Sequence, residues 1–446
     1  MKNALRFSLT IAMVFLVFIL GFLVWGNYNV GKPDETAAPT APIDFRPIQT
    51  PDTGIEQPAD PANLKKITLA VAGDIDIHSG LNVEAYNGES YDYMTVMGGA
   101  KNYIEAADFA VGCLETTFPG GEYSGYPMFK SPDGVAEGLS KMGFDLISTA
   151  SNHAMDGQFE GLKRTLDVLD YYEMLHVGTY RTQAERDFNN GIIIAEIGDV
   201  SIAFLAYTYG TNSMSIAGFD YAVNVFCRDY LQNTTRDIDY DKISADMSVA
   251  RSLGTDLIAV FMHWGQEYEI SPIKQQEDLA AFLFEEGADL ILGGHPHVPE
   301  PFETREITDR DGNKKTGLLV YCMGNFVSCI TNREASRYSH LTAVLNVEIE
   351  KNVENGKTYI TGLSYVPLFM VDLHEFGVTS ASWRYRLWDL HAAINTYNSG
   401  DNMGVINDEL HSALLEGLDD LHTIFGSEYD WHLINSPAGD GGGAEE

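Results

Sequence analysis

The chain has 446 residues, with 64 Asp and Glu against 28 Lys and Arg, a formal charge of -36 at neutral pH. So negative a chain excludes a nucleic-acid binder, which must neutralise phosphates with cations. Any anionic substrate would need local positive charge, which metal ions could supply. The length suits two or three domains, although one large α/β domain also reaches it.

In chain order, the first feature is the uncharged apolar run Phe7 to Trp25, long enough to cross a bilayer. Lys2 and Arg6 precede it, and Asp34 and Glu35 come after it. That asymmetry predicts a single-pass protein of the cell membrane, with its N-terminus cytoplasmic and its bulk extracytoplasmic. A cleaved signal peptide is the rival, but its apolar region is usually shorter, and no small-x-small site follows Trp25. The reading adopted is an uncleaved anchor over residues 1–26. Residues 27–64 are rich in Pro, Thr, Ala and Asp and read as a disordered linker. A domain over 65–370, a helical extension over 371–435 and a disordered acidic tail over 436–446 complete the organisation. The cysteines are Cys113, Cys227, Cys322 and Cys329. Their spacing matches no zinc site, and a Cys322–Cys329 pair across a turn is one option.

Within the domain, Ile67–Ala72 reads as a buried strand, followed by Gly73-Asp74-Ile75-Asp76-Ile77-His78. A helix around Met97–Ala106 leads to a strand Phe109–Gly112, then Cys113-Leu114-Glu115. Pro132 opens a helix that ends at Gly143. The strand Asp145–Thr149 runs into Ser151-Asn152-His153-Ala154-Met155-Asp156-Gly157. Apolar residues at helical spacing place a helix over Gln158–Leu169. Gly191–Glu196 and Ser201–Ala206 read as a hairpin. A helix over Asp241–Leu253 precedes the strand Leu257–Met262, which ends in His263-Trp264-Gly265-Gln266-Glu267. A helix from Ser271 to Glu286 precedes Ala288–Leu292, then Gly293-Gly294-His295-Pro296-His297. Leu318–Cys322 is a strand ending in Gly324-Asn325-Phe326. Asn355-Gly356 marks a hairpin between Ala343–Glu350 and Lys357–Pro367. Ser382–Gly426 reads as helical.

Ligand-type side chains recur immediately after apolar strands: Asp74, Asp76 and His78; Glu115; Asn152 and His153; His263; His295 and His297. In α/β folds the carboxyl ends of strands share an edge where ligands bind. Each residue has an ordinary alternative: a turn cap for Asp74, a surface position for Glu115, an N-cap for Asn152, a satisfied core histidine for His153, packing for His263. Taken together they point to a metal site, and oxygen with imidazole donors suits Mn, Fe or Zn. His176, His340, His374, His391, His411, His422 and His432 lack that context and read as structural or surface. No nucleophile elbow, phosphate-binding loop or H-E-x-x-H motif is present. Cys113 as a nucleophile would require a depressed pKa.

These motifs resemble the CapA family of poly-γ-glutamate capsule biosynthesis proteins, within the calcineurin-like metallophosphatase superfamily. The matching pieces are Gly73-Asp74, Leu114-Glu115, Ser151-Asn152-His153-Ala154 with Asp156 and Gly157, His263-Trp264-Gly265 with Glu267, Gly294-His295-Pro296-His297-Val298, and Gly324-Asn325-Phe326. The resemblance covers about Ile67 to Val327. It implies an α/β (α+β) fold, a four-layer α-β-β-α sandwich of two central sheets flanked by helices. It further implies two divalent metal ions clamping a phosphoryl group, with Asp74 and His297 on one, and Asn152, His263 and His295 on the other. Glu115 would bridge them, where most relatives carry aspartate, and His153 would protonate the leaving oxygen.

Two departures stand out. The usual D-x-H opening has Asp76 in the histidine's place, and a D-x-H recurs two residues later as Asp76-Ile77-His78. Cys113 stands where relatives often have Asn. Asp76, His78, Asp156 and Glu267 are therefore carried as ligands or their supports. Lys130 is either a substrate-binding cation or a solvated loop lysine. The implied function is a membrane-anchored, metal-dependent hydrolase of phosphoesterase type in capsule synthesis. The alternative is a non-catalytic accessory subunit that holds or guides an anionic polymer beside membrane synthase subunits. A third reading makes the site a relic, on the strength of position 76 alone.

Overall fold

A strand buried on both faces reads as a continuous apolar run, and each amphipathic helix must bury its stripe against a sheet. The computed structural model describes residues 61–435 except 233–236, 309, 311, 313 and 332–335, together with the backbone of Arg46–Pro47. The apolar run Phe7–Trp25, nearly all of the linker and the tail 436–446 lie outside the described residues. Among the described residues no helix is long and apolar enough to cross a membrane.

The strands of the first sheet are β1 (Arg46–Pro47), β2 (Leu64–Ile75), β3 (Phe109–Leu114), β4 (Leu146–Ser148), β5 (Leu175–Val177), β12 (Asn325–Val327), β13 (Leu341–Asn352), β14 (Lys357–Asp372) and β15 (Tyr385–Asp389). Their order is β1-β14-β13-β2-β3-β4-β5, with β12 beside β2 and β15 beside β14. β2 to β5 run parallel. The second sheet holds β6 (Ile193–Ile197), β7 (Val200–Thr208), β8 (Leu257–His263), β9 (Leu290–Gly294), β10 (Pro299–Thr308) and β11 (Lys314–Met323). Its order is β10-β11-β9-β8-β7-β6, and its four inner strands are parallel.

Side chains alternate across a strand, and this alternation builds the layers. On β2, Leu69 and Val71 face the second sheet, where Phe204, Phe261, Leu292 and Val320 meet them. Ala70 and Ala72 face the other way, toward Leu139 of helix Gly134–Met142 and Leu166 of helix Gln158–Tyr171. On β8, Ala259 and Phe261 point to the inter-sheet core. Val260 and Met262 pack with Met247 of helix Tyr240–Ser252 and Leu283 of helix Lys274–Glu285. Three apolar cores thus separate four layers, α-β-β-α.

The expected helix over Ser382–Gly426 is corrected at its start. Tyr385–Asp389 is a strand, buried at alternate residues, and it covers the edge of the long β14. Helices follow at Leu390–Asn398 and Asp408–Leu421, and they insert Ile394 and Leu414 into the inter-sheet core. β5, β10 and β12 carry too little alternation to be read from sequence. All four cysteines are free thiols, so Cys322 and Cys329 are not joined.

The histidines that read singly as structural or surface include three that converge in space. His391 Nε2 and His422 Nε2 each lie 2.7 Å from one oxygen of the buried Asp430, Oδ2. His432 Nε2 lies 2.8 Å from Asp389 Oδ2. Burial alone would raise the Asp430 pKa, but the hydrogen bonds from His391 and His422 hold it well below the usual range. Asp430→Ala should cost about 2–3 kcal/mol of stability at neutral pH in a denaturant titration. A depressed carboxylate pKa stabilises above the unfolded value of about 4, and that contribution disappears as pH falls through the folded value. The gap between wild type and variant should therefore close in acid, and a gap independent of pH would refute the assignment.

Candidate metal centre

Both sheets present the carboxyl ends of their parallel strands to one place. Asp74 comes from β2, Glu115 follows β3 and Asn152 follows β4, all in the first sheet. His263 ends β8, and His295 and His297 follow β9, in the second. All six are buried.

Several donor sets overlap there, and two of them share Glu115. Asp74, Glu115 and His297 offer ligand atoms that all lie within 4.8 Å of one another, and so do Glu115, His263 and His295. Glu115 belongs to both. Asn152 Oδ1 sits 2.7 Å from His263 Nε2, and that nitrogen is 3.3 Å from Glu115 Oε1. Asp74 Oδ1, both Glu115 oxygens and His295 Nδ1 are buried without a hydrogen-bond partner. Buried carboxylate oxygens left without donors fit a cation, since desolvation without compensation is costly.

The electrostatics follow from this crowding. Burial, then the neighbouring Glu115 charge, pushes Asp74 up to about 6. For Glu115 burial acts upward too, but His297 and His263 outweigh it and hold the group at about 2. Burial opposes protonation of His297, yet Glu115, Asp76 and Asp74 raise it to about 9. Burial, with His263 and His297 beside it, depresses His295. A divalent ion would supply the positive charge that the imidazoles otherwise provide.

The loop carrying the two histidines is strained and pinned. His295 has φ 100° and His297 φ 60°, a region that non-glycine residues rarely enter. The His295 N–H donates to Asp74 Oδ2 at 2.7 Å. Trp264 N–H donates to Gly294 O at 3.1 Å, and Tyr268 N–H to Pro296 O at 2.8 Å. Gly294 permits the approach: a Cβ there would lie 2.3 Å from Asp74 Oδ1. His297 is also oriented by Asn325, with Nδ1 2.9 Å from its Oδ1.

The remaining expected residues fall around this centre. His153 Nδ1 lies 2.6 Å from Asp156 Oδ2, whose oxygen also accepts the Phe129 N–H. Asp156 thus supports His153 rather than joining a donor set. Burial opposes the charged form of His153, and the hydrogen bond to Asp156 reverses this and raises its pKa. Asp76 pairs with His78 Nε2 at 3.0 Å and accepts from Ser328 Oγ at 2.9 Å. It leaves Oδ1 buried and unpartnered. Glu267 is exposed, within ligand reach of His295 and His297. Cys113 lies 3.8 Å from His263. Burial, then Asp74, pushes its thiol up, which opposes a nucleophilic role.

A cavity of about 880 Å³ opens beside the centre, with Asn152, His153 and His295 in its wall. Tyr126, Pro127 and Met128 form its side from the loop where a lysine was expected. Lys130 is half-buried, its backbone is bridged to Ser124 and Thr117, and it is not among the lining residues. Sequence reasoning missed Asn212, whose Nδ2 is 3.2 Å from His153 Nε2 and which accepts from Asn152. It also missed Tyr209, whose ring lies 4.8 Å from that of His295. Tyr209 follows the end of β7, so the strand-end rule could have found it; Asn212, deeper in that loop, carries no such signal.

A family model described as bacterial capsule synthesis protein PGA_cap matches residues 68–329. The chain belongs to the PGA_cap family. The capsule biosynthesis protein CapA of Bacillus anthracis is 26% identical over 309 residues, covering 66% of this chain and 69% of that protein. The PGA biosynthesis protein CapA of Bacillus subtilis (strain 168) is 31% identical over 190 residues, 42% of this chain and 44% of that one. A solved structure described as a novel phosphatase of Mycoplasma pneumoniae has 15% identity and a TM-score of 0.39, covering 68% of this chain and 94% of that chain. The PGA_cap match runs from β2 to just past β12 and includes every donor residue named above.

Proposed function

We propose that this PGA_cap domain is a metal-dependent phosphoester hydrolase that serves capsule-polymer synthesis. The observation that carries the reading is Glu115, shared by two donor sets whose remaining members come from facing sheets. It supports two divalent ions, with Asp74 and His297 at one, and Asn152, His263 and His295 at the other. Mn, Fe and Zn all suit such oxygen and imidazole donors. Lewis acidity toward a phosphoryl oxygen, and water made acidic at neutral pH, would come from such ions.

The chain's own residues do the rest. Asp156 holds His153 by Nδ1; Nε2, 3.2 Å from the Asn212 amide nitrogen, is the atom that hands a proton to a departing alkoxide at the cavity wall once that amide gives way. Asn212 steadies that ring and the Asn152 amide together. Asp76, where a histidine ligand is usual, serves as partner of His78 and Ser328. The apolar run Phe7–Trp25 supports an anchored protein with its domain on the extracytoplasmic face and membrane synthase subunits as partners.

Elemental analysis of the purified protein should find about two divalent ions per chain, and the Mn-loaded protein should cleave aryl phosphoesters. Two ions bound with no phosphoester cleaved would sink the hydrolase reading and leave an accessory subunit. No bound metal would leave a relic.

A further inference from the structure

The cavity beside the donors carries charge information that the hydrolase reading does not use. Among the described residues that line it, none is Lys or Arg. Its only charged side chains besides those of the centre's own His–Asp pair belong to Glu267, and the chain as a whole is at -36. Tyr126, Met128, Met214 and Ile273 give the wall aromatic and apolar surface, between the polar Asn212 and Gln266, while Tyr209 stands beside His295. Tyr126 is 76% exposed at the rim, and Tyr268, beside His297, is 39% exposed. Its volume suits a small molecule or one end of a longer one.

We infer that the phosphoester taken here bears no negative charge outside its phosphoryl group, and that its remainder is neutral or cationic with ring or apolar surface. This inference rests on the hydrolase reading. The reason is electrostatic. Charge at the phosphoryl group would be met at the donor end, where Glu267 stands within ligand reach of His295 and His297; a second anion would meet the chain's negative field, with no lysine or arginine among the described residues of the cavity wall to answer it. Aromatic and apolar walls favour ring faces and alkyl or ammonium groups instead. A polyanionic chain such as an oligoglutamate is thereby excluded from the cavity, even though capsule polymers of that type give relatives their name.

The test compares three nitrophenyl phosphodiesters on the Mn-loaded protein: p-nitrophenyl phosphorylcholine, bis(p-nitrophenyl) phosphate, and a diester whose second arm carries two carboxylates. The first two should exceed the third in kcat/KM by at least about tenfold. Gln266→Lys, which places a cation in the cavity wall, should raise the third by about tenfold and lower the first. Calorimetry on the metal-free protein provides a second readout: an oligoglutamate should show no binding tighter than about 1 mM at physiological salt. Equal turnover of all three diesters, or a tight oligoglutamate complex, overturns the inference and leaves the hydrolase reading standing. If no diester is cleaved, the hydrolase reading falls, and calorimetry alone then decides the exclusion of polyanions.

Discussion

His153→Ala should lower kcat by about 10²- to 10⁴-fold on an alkyl phosphoester while leaving the metal content unchanged. His153 lies outside both donor sets, and its Nδ1 is occupied by Asp156 at 2.6 Å. The proposed contribution is proton transfer to the leaving oxygen, so the loss should depend on the leaving group. A nitrophenolate departs with little need of a proton, and the same variant should lose much less on aryl esters. His295→Ala belongs to the other class. It removes a ring with a buried, unpartnered Nδ1, so metal content and all activity should fall together. Equal losses on alkyl and aryl esters for His153→Ala would remove its role as proton donor. Full metal content in His295→Ala would remove its role as ligand.

Gly294→Ala should empty at least one metal position although it alters no ligand. The added methyl would sit 2.3 Å from Asp74 Oδ1, the oxygen that has no hydrogen-bond partner. The carboxylate must move, and its other oxygen is held by the His295 N–H. We expect a stability loss of about 1–3 kcal/mol from the overpacking. Activity should drop by about 100-fold or more through lost positioning. Elemental analysis and thermal unfolding check the two effects separately. A variant with wild-type metal content and turnover would show that Asp74 Oδ1 holds no ion.

Much of the fold was legible because the patterns that encode it are local. Ile67–Ala72, Phe109–Gly112 and Leu257–Met262 are apolar runs buried on both faces, and each is a strand in the structure. Gln158–Leu169 shows helical spacing and is a helix. Tyr385–Asp389 was misread because a short alternating segment next to true helices is decided by the edge it covers, here β14. The C-terminal histidines gave no signal because His391 reaches Asp430 and His432 reaches Asp389 across about 40 positions of chain.

For the candidate centre, the sequence alone determined which residue types stand at strand ends, since that depends only on apolar runs and the few residues just C-terminal to them. Which strands share a sheet was decided by tertiary structure. Asp74, Glu115 and Asn152 hang from one sheet and the three histidines from the other, and Asp74 meets the His295 N–H across 221 positions of chain. The same step set Gly294 against Asp74, kept Lys130 out of the cavity wall and left Cys322 and Cys329 apart. Periodicity reports which way a side chain faces relative to its neighbours; pairing, register and the packing of one sheet on another join residues too far apart in the chain for any local pattern to connect them.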